Sequence, residues 1–284
     1  MDQKIVLITG GNAGIGKQTA ISLAQKGAIV VIVSRNLQKG EKAVEEIRQK
    51  SGSQNVDLLT ADLSSLQSVR DLTAAFKNKY QSLDVLVNNA GCILTSHSLT
   101  TDGYELQFGV NHLSHFLLTH LLLDYLEAAT EGRIVNVSSM AHYTGKLDFD
   151  ALTGNQDHYD GMAAYRCSKL CNVLFTREFG RRFPDSQVTA NCLHPGVVKT
   201  RIGNKSNLLF SLVWTIMKPF MLTEKRGAKT SIFLASSPKV KGVTGQYFNQ
   251  HQKEKTPSDL AQDEALAAKL WEYSLAATGL SNSK

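Results

Sequence analysis

The chain is built around short apolar runs separated by amphipathic stretches of helical period. The runs are Ile5–Thr9, Ile29–Ser34, Val56–Ala61, Val85–Asn88, Arg133–Ser138 and Val188–Leu193. Most are continuous in Val, Ile and Leu and do not alternate with polar residues. That is the pattern of strands buried on both faces, as in a parallel sheet. Helical patterns fall between them at Ile15–Lys26, at Leu37–Gln49 with Ala43, Val44 and Ile47 on one stripe, from Ser64 or Ser65 to near Tyr80, and at Ala163–Phe183. Thr101–Ala129 reads as one long helix or two. The alternation predicts βαβ units with right-handed crossovers, hence a doubly wound α/β domain with helices on both faces. No linker, repeat or low-complexity segment interrupts it, so residues 1–284 read as one domain. After Leu193 the spacing predicts a helix at Glu224–Ala235, a short strand at Thr244–Phe248 and a last helix at Asp259–Leu275. Ser258 would cap that helix and Gly279 would lie past its end.

Composition narrows the function classes. The 284 residues are 42% hydrophobic and 20% charged, which fits a folded globular chain. A net charge of +6 is mild, and no arginine-rich arm accompanies it, so nucleic-acid binding is not expected. The four cysteines form no CxxC pair and read as reduced thiols of a cytoplasmic protein. Met1 leads within three residues into Lys4–Ile8, so neither a leader nor a membrane anchor is expected. Residues 208–222 are apolar at 11 of 15 positions, but Lys218 and Pro219 interrupt them, too soon for a bilayer span.

The first strand runs into Thr9-Gly10-Gly11-Asn12-Ala13-Gly14-Ile15-Gly16, which opens the first helix. Glycines there let the chain turn sharply and bring backbone N–H groups and a helix N-terminus against a pyrophosphate. At the end of the second strand stands Arg35, with no Asp or Glu at positions 33–36. A carboxylate at this place would accept from a ribose 2′-OH. An arginine pairs with a 2′-phosphate, which favours NADP over NAD, and Lys39 can reinforce it. Asp62 and Leu63, after the third strand, either meet an adenine edge or begin the turn into the next helix.

Tyr165 and Lys169 are one helical turn apart on one face. Ser138-Ser139 closes the fifth strand, Asn88-Asn89-Ala90-Gly91 the fourth and His194-Pro195-Gly196 the sixth. These lie at the carboxyl edge of the sheet, where doubly wound folds bind ligands, and Asn111 lies in the helical stretch after the fourth strand. Hydride reduction of a carbonyl creates an alkoxide that needs a proton. A phenol can give it if a nearby ammonium stabilises the phenolate. A serine hydroxyl can hold the oxygen, and an asparagine can hold a water that relays protons.

The set Thr9–Gly16, Asn88–Gly91, Asn111, Ser139, Tyr165/Lys169 and Pro195-Gly196, in this order, resembles the short-chain dehydrogenase/reductase family over essentially the whole chain. The runs Val110–Thr119 and Tyr165–Glu178, with Gly245-Gln246-Tyr247-Phe248 and Leu270-Trp271-Glu272, resemble its retinol dehydrogenase-like branch. The step of 26 residues from Ser139 to Tyr165 suits that branch too. The resemblance implies a Rossmann-type sheet of about seven strands and an Asn111-Ser139-Tyr165-Lys169 tetrad. It also implies cofactor contacts from Gly10, Asn12, Gly14, Ile15, Gly16, Arg35, Asp62, Leu63, Asn89, Ala90, Gly91, Pro195, Gly196, Val198 and Thr200, joined by Tyr165 and Lys169. Asn89 would reach the cofactor ribose and Thr200 the nicotinamide carboxamide.

The substrate expected is a lipophilic aldehyde, ketone or matching alcohol, retinoid-like in character. Residues 197–226, with Phe210, Trp214, Met217 and Phe220, read as a substrate lid, a core helix, a dimer contact or a peripheral membrane contact. Many relatives of this kind are dimers or tetramers, so a homodimer or homotetramer is one expectation. His112 and His115 lack a third ligand and read as packing or hydrogen-bonding groups, as does His194; no metal is expected. Two other readings stand beside the carbonyl enzyme: an NADPH-sensing module with little catalysis, and a reductase of an activated C=C bond.

Overall fold

The computed structural model describes residues 1–154, 158–198 and 222–281. Seven parallel strands form one sheet in the order β3-β2-β1-β4-β5-β6-β7. They are β1 (Ile5–Thr9), β2 (Ile29–Ser34), β3 (Val56–Thr60), β4 (Val85–Asn88), β5 (Arg133–Val137), β6 (Thr189–Leu193) and β7 (Tyr247–Phe248). The order reverses between β1 and β4, so a crevice opens at the carboxyl ends of those two strands. Val6, Leu7 and Ile8 of β1 are wholly buried, as expected for a strand covered on both faces.

On one face lie α1 (Gly14–Ala24) and α2 (Leu37–Ser51), together with α8 (Glu224–Gly227) and α9 (Lys229–Ser236) near the C-terminus. On the other lie α3 (Leu66–Lys79), α4 (Leu106–Phe108), α5 (Ser114–Leu121), α6 (Leu123–Glu127) and α7 (Gly161–Arg182), followed by α10 (Asp259–Gln262) and α11 (Glu264–Thr278). Local sequence sets the ends. Asn36, Ser65 and Asp160 each accept backbone N–H bonds as N-caps of α2, α3 and α7. Gly279 ends α11 in the left-handed region, at φ +65°.

The last helix seals the second face. Trp271 of α11 meets Phe116 edge-on at 5.2 Å and lies 5.8 Å from Phe175. The Arg182 guanidinium lies 4.9 Å from the Trp271 ring centre and pairs with Glu272 at 2.7 Å.

Four elements differ from their sequence expectation, the briefest being the Glu224–Ala235 helix, which is interrupted at Ala228 between α8 and α9. The Thr101–Ala129 stretch is not a continuous helix. Gly103 turns at φ +84°, and the Glu105 carboxylate caps a helix that starts only at Leu106. The helix then slips into a π turn over Gly109–Leu113 and breaks again at Leu122. The final helix is split, because Asp263 takes the N-cap of α11 by accepting from the Leu266 N–H at 2.9 Å. The last strand keeps only Tyr247 and Phe248. Gly245 stands at φ +73°, and the Thr244 hydroxyl accepts from the Ala190 N–H, so that part of the segment is a turn. No described helix is long and apolar enough to cross a membrane.

Candidate active site

The phosphate loop sits at the carboxyl end of β1. Gly10 has φ +64° and Gly14 +55°, conformations that side-chain-bearing residues rarely take. A Cβ on Gly16 would stand 2.5 Å from the Gly10 carbonyl oxygen and 2.5 Å from the Asn89 amide nitrogen. Ala13 enters α1 in extended backbone with no side chain capping the helix, and the first turn carries no acid. The N-terminal N–H groups of an 11-residue helix are therefore left by the protein's own side chains for an anion. Asn12 and Ile15 are half-buried in the same loop. The cradle fits a dinucleotide pyrophosphate.

Arg35 is exposed at the end of β2. Among the described residues no carboxylate pairs with it. Asp62 begins a turn, where its carboxylate accepts from the Ser64 N–H at 3.0 Å and the Ser64 hydroxyl at 2.8 Å. Leu63 is buried in the core that also holds Val33 and Ala61. The backbone N–H groups of Asn89 and Ala90 donate to the Thr9 hydroxyl, and the Asn89 side chain donates to the Thr9 carbonyl at 2.8 Å. The β4 turn is thus tied to the phosphate loop. On the far side, Gly196 at φ +78° donates its N–H to His194 Nδ1, next to Pro195. His194 is buried and stacks on Tyr247. Val198 is buried and bridges to Leu222. Thr200 and most of segment 197–226 lie outside the described residues.

The reactive group is assembled from β5, the π turn and α7. Ser139 leaves β5 and accepts from the Ala141 N–H at 3.1 Å, starting a tight turn. The nearby Ser139 hydroxyl favours the Tyr165 phenolate, but burial dominates and raises the Tyr165 pKa. Lys169 is buried. Its amine donates to the Val137 carbonyl at 3.0 Å and lies 5.7 Å from the Tyr165 ring centre. Burial lowers its pKa to about 8. In the protein by itself, desolvation thus outweighs the effect of the Ser139 hydroxyl on Tyr165. Ser138 fixes α7 against β5 by donating to the Lys169 carbonyl at 2.7 Å.

Asn111 is wholly buried in the π turn. Its amide exchanges two bonds with the Cys92 backbone, at 2.8 and 3.0 Å, and donates to Ser168 Oγ at 2.9 Å. Gly91 keeps this corner open: a Cβ there would meet Asn111 Oδ1 at 3.1 Å and the Lys169 amine at 3.5 Å. The structure thus brings Asn111, Ser139, Tyr165 and Lys169 to one end of the sheet beside the phosphate loop.

Thr9, Cys92, Ser168 and His115 support this group and were not singled out from sequence for that role. Ser168 carried a signal, since it immediately precedes Lys169 and its hydroxyl donates to the Tyr165 carbonyl. His112 is buried between Asn172 and Ser274, a hydrogen-bonding role. No cluster of three His, Cys, Asp or Glu able to hold a metal occurs among the described residues.

Comparison with known proteins agrees with this geometry. A family model described as short chain dehydrogenase matches residues 4–208. Retinol dehydrogenase 13 of Homo sapiens is 42% identical over 286 residues, spanning 98% of this chain and 85% of that protein. Retinol dehydrogenase 12 of Mus musculus is 43% identical over 277 residues, spanning 98% and 87%. Among solved structures, an uncharacterized protein from Mycobacterium paratuberculosis superposes with a TM-score of 0.77 at 33% identity, covering 98% of this chain and 94% of that one. A Shigella flexneri short chain dehydrogenase complexed with NADP shares the fold, with a TM-score of 0.70 at 20% identity over 88% of this chain and 98% of its own. With its sheet order, phosphate loop and reactive group in agreement, this chain belongs to the short chain dehydrogenase family, in its retinol dehydrogenase-like branch.

Proposed function

We propose that the chain transfers hydride between NADP(H) and a lipophilic aldehyde or ketone, or the matching alcohol. The observation that carries this is the grouping of Ser139, Tyr165 and the buried Lys169 amine, which lies 5.7 Å from the Tyr165 ring centre, beside an uncapped phosphate cradle. The cradle at Gly10–Gly16 would hold the pyrophosphate, and Arg35 would pair with a 2′-phosphate. When bound, the nicotinamide supplies or accepts the hydride.

The chain's own residues do the rest. Ser139 holds the substrate oxygen by its hydroxyl. Tyr165 gives that oxygen a proton as the alkoxide forms, or takes one in the reverse direction. The Lys169 ammonium stabilises the phenolate left behind, and Asn111 fixes the loop edge that borders the lysine. A lipophilic substrate is supported by the relatives' printed names and by the exposed Met140, Tyr143 and Val197 around the site, together with the apolar residues 208–222.

The test follows oxidation of NADPH, and separately of NADH, against lipophilic aldehydes including retinal, with Tyr165→Phe as control. Turnover with NADPH preferred, abolished in the folded control, is the expected result. Normal turnover by Tyr165→Phe overturns the mechanism. NADPH binding with no turnover on any aldehyde points to the sensing module, and a product that keeps its carbonyl points to C=C reduction. Arg35→Asp should shift preference toward NADH, and unchanged preference removes the 2′-phosphate argument.

A further inference from the structure

His115 lies one helical turn after Asn111, nearly wholly buried, with both ring nitrogens engaged. Nδ1 is 3.1 Å from the Asn111 carbonyl oxygen, and Nε2 is 2.9 Å from Thr9 Oγ1. A carbonyl can only accept, so Nδ1 carries the ring proton. Nε2 is then an acceptor and takes the hydroxyl proton of Thr9. The lone pairs of Thr9 Oγ1 receive the N–H groups of Asn89 at 2.9 Å and Ala90 at 3.0 Å. Every donor in this chain of bonds meets an acceptor with one assignment of protons. Burial keeps the ring neutral, as the chain of bonds requires, holding its pKa near about 4, and the charge of Lys169 acts in the same direction.

We propose that His115 is a positioning residue that fixes the Asn111 peptide in its π turn and thereby aims the Asn111 amide at Cys92 and Ser168, beside the Lys169 amine. The inference rests on the hydride-transfer reading above. Its two arms are unequal. Thr9 has a second acceptor, the Val87 carbonyl at 3.4 Å, to which its hydroxyl can turn. Among the described residues no second side chain donates to the Asn111 carbonyl. Loss of the Asn111 arm is therefore felt at the reacting group, and loss of the Thr9 arm is absorbed.

Two substitutions separate the arms. Asparagine places an amide nitrogen where Nδ1 stands, so His115→Asn keeps the bond to Asn111 and drops the one to Thr9. Glutamine reaches the Nε2 position, so His115→Gln does the reverse. With the aldehyde turned over in the panel above, His115→Gln should lower kcat about tenfold, the scale of one lost hydrogen bond, with KM for NADPH within about twofold. His115→Asn should stay within about threefold of the parent. Equal losses in both variants, or parent kcat per folded molecule in both alongside lower thermal midpoints, overturn the proposal. Nitrogen chemical shifts of the parent protein's imidazole give a check that needs no variant. The Nδ1–H tautomer is expected, and the Nε2–H tautomer overturns the assignment. The hydride-transfer reading fails separately, through an active Tyr165→Phe or an inert aldehyde panel.

Discussion

Acid should unfold this protein well before its carboxylates titrate. His112, His115 and His120 are held neutral on the face of the sheet that carries α5 and α7, where burial lowers their pKa values to about 3, about 4 and about 4 from an ordinary 6.5. Hydrogen bonds to Asn172, Asn111 and Phe116 oppose this in turn, and smaller repulsions from His115, Lys169 and Arg182 add to burial, which dominates in all three. A base whose folded pKa is depressed binds protons more readily when unfolded. Its contribution to stability is therefore complete above pH 6.5 and is lost as pH falls toward the folded value. Between pH 7.5 and 5.0 each group costs about 2 kcal/mol by this linkage, and the three together about 6 kcal/mol. Domain stabilities are only about 5–15 kcal/mol, so most of the margin disappears within that window. Urea unfolding followed by Trp271 fluorescence at several pH values measures it. His120→Asn preserves the ring's donor to the Phe116 carbonyl, a bond of 2.8 Å, and removes one titrating group. That variant should lose about 2 kcal/mol less than the parent over the same window. A flat stability between pH 7.5 and 5.0, or these histidines titrating above pH 6 in the folded protein, refutes the reasoning.

Other consequences follow from the same geometry. Because burial brings the Lys169 pKa down to about 8, carbonyl reduction should slow as pH rises through about 8 and the ammonium is lost; a rate that stays level to pH 9.5 counts against a charged lysine in the step. Gly16→Ala sets a Cβ 2.5 Å from the Gly10 backbone oxygen, so NADPH affinity measured by fluorescence titration should drop about tenfold or more, and parent affinity would show that the loop yields freely. Trp271→Ala opens a cavity among Phe116, Phe175 and the Arg182 guanidinium and should cost about 3–5 kcal/mol in denaturant unfolding. A loss below about 1 kcal/mol would mean that α11 contributes little to the core.

The strands were legible because a strand covered on both faces writes itself as an apolar run, and six of the seven fall within a residue of the expected ends. The tetrad was legible because Tyr165 and Lys169 share a helix face and Ser139 directly follows a strand. What stayed hidden depends on partners distant in sequence. Nothing near Asn111 signals that its amide will pair with Cys92, or that the helix must slip by a residue to let it do so. The link from His115 to Thr9 joins residues 106 positions apart. The turn at Asp62 was legible locally, and it runs through Ser64.

The seal that α11 lays across α5 and α7 sets an order of events during synthesis. The apolar core on that face joins Phe116 and Phe175 to Trp271 and Leu275. Chain growth runs from the N-terminus, so the aromatic face of α5 is translated some 150 residues before the tryptophan that closes it. The sheet through β6 can form while that face still meets water. A chain that ends before residue 264 lacks the tryptophan that covers Phe116 and Phe175, and apolar surface left open in this way favours aggregation.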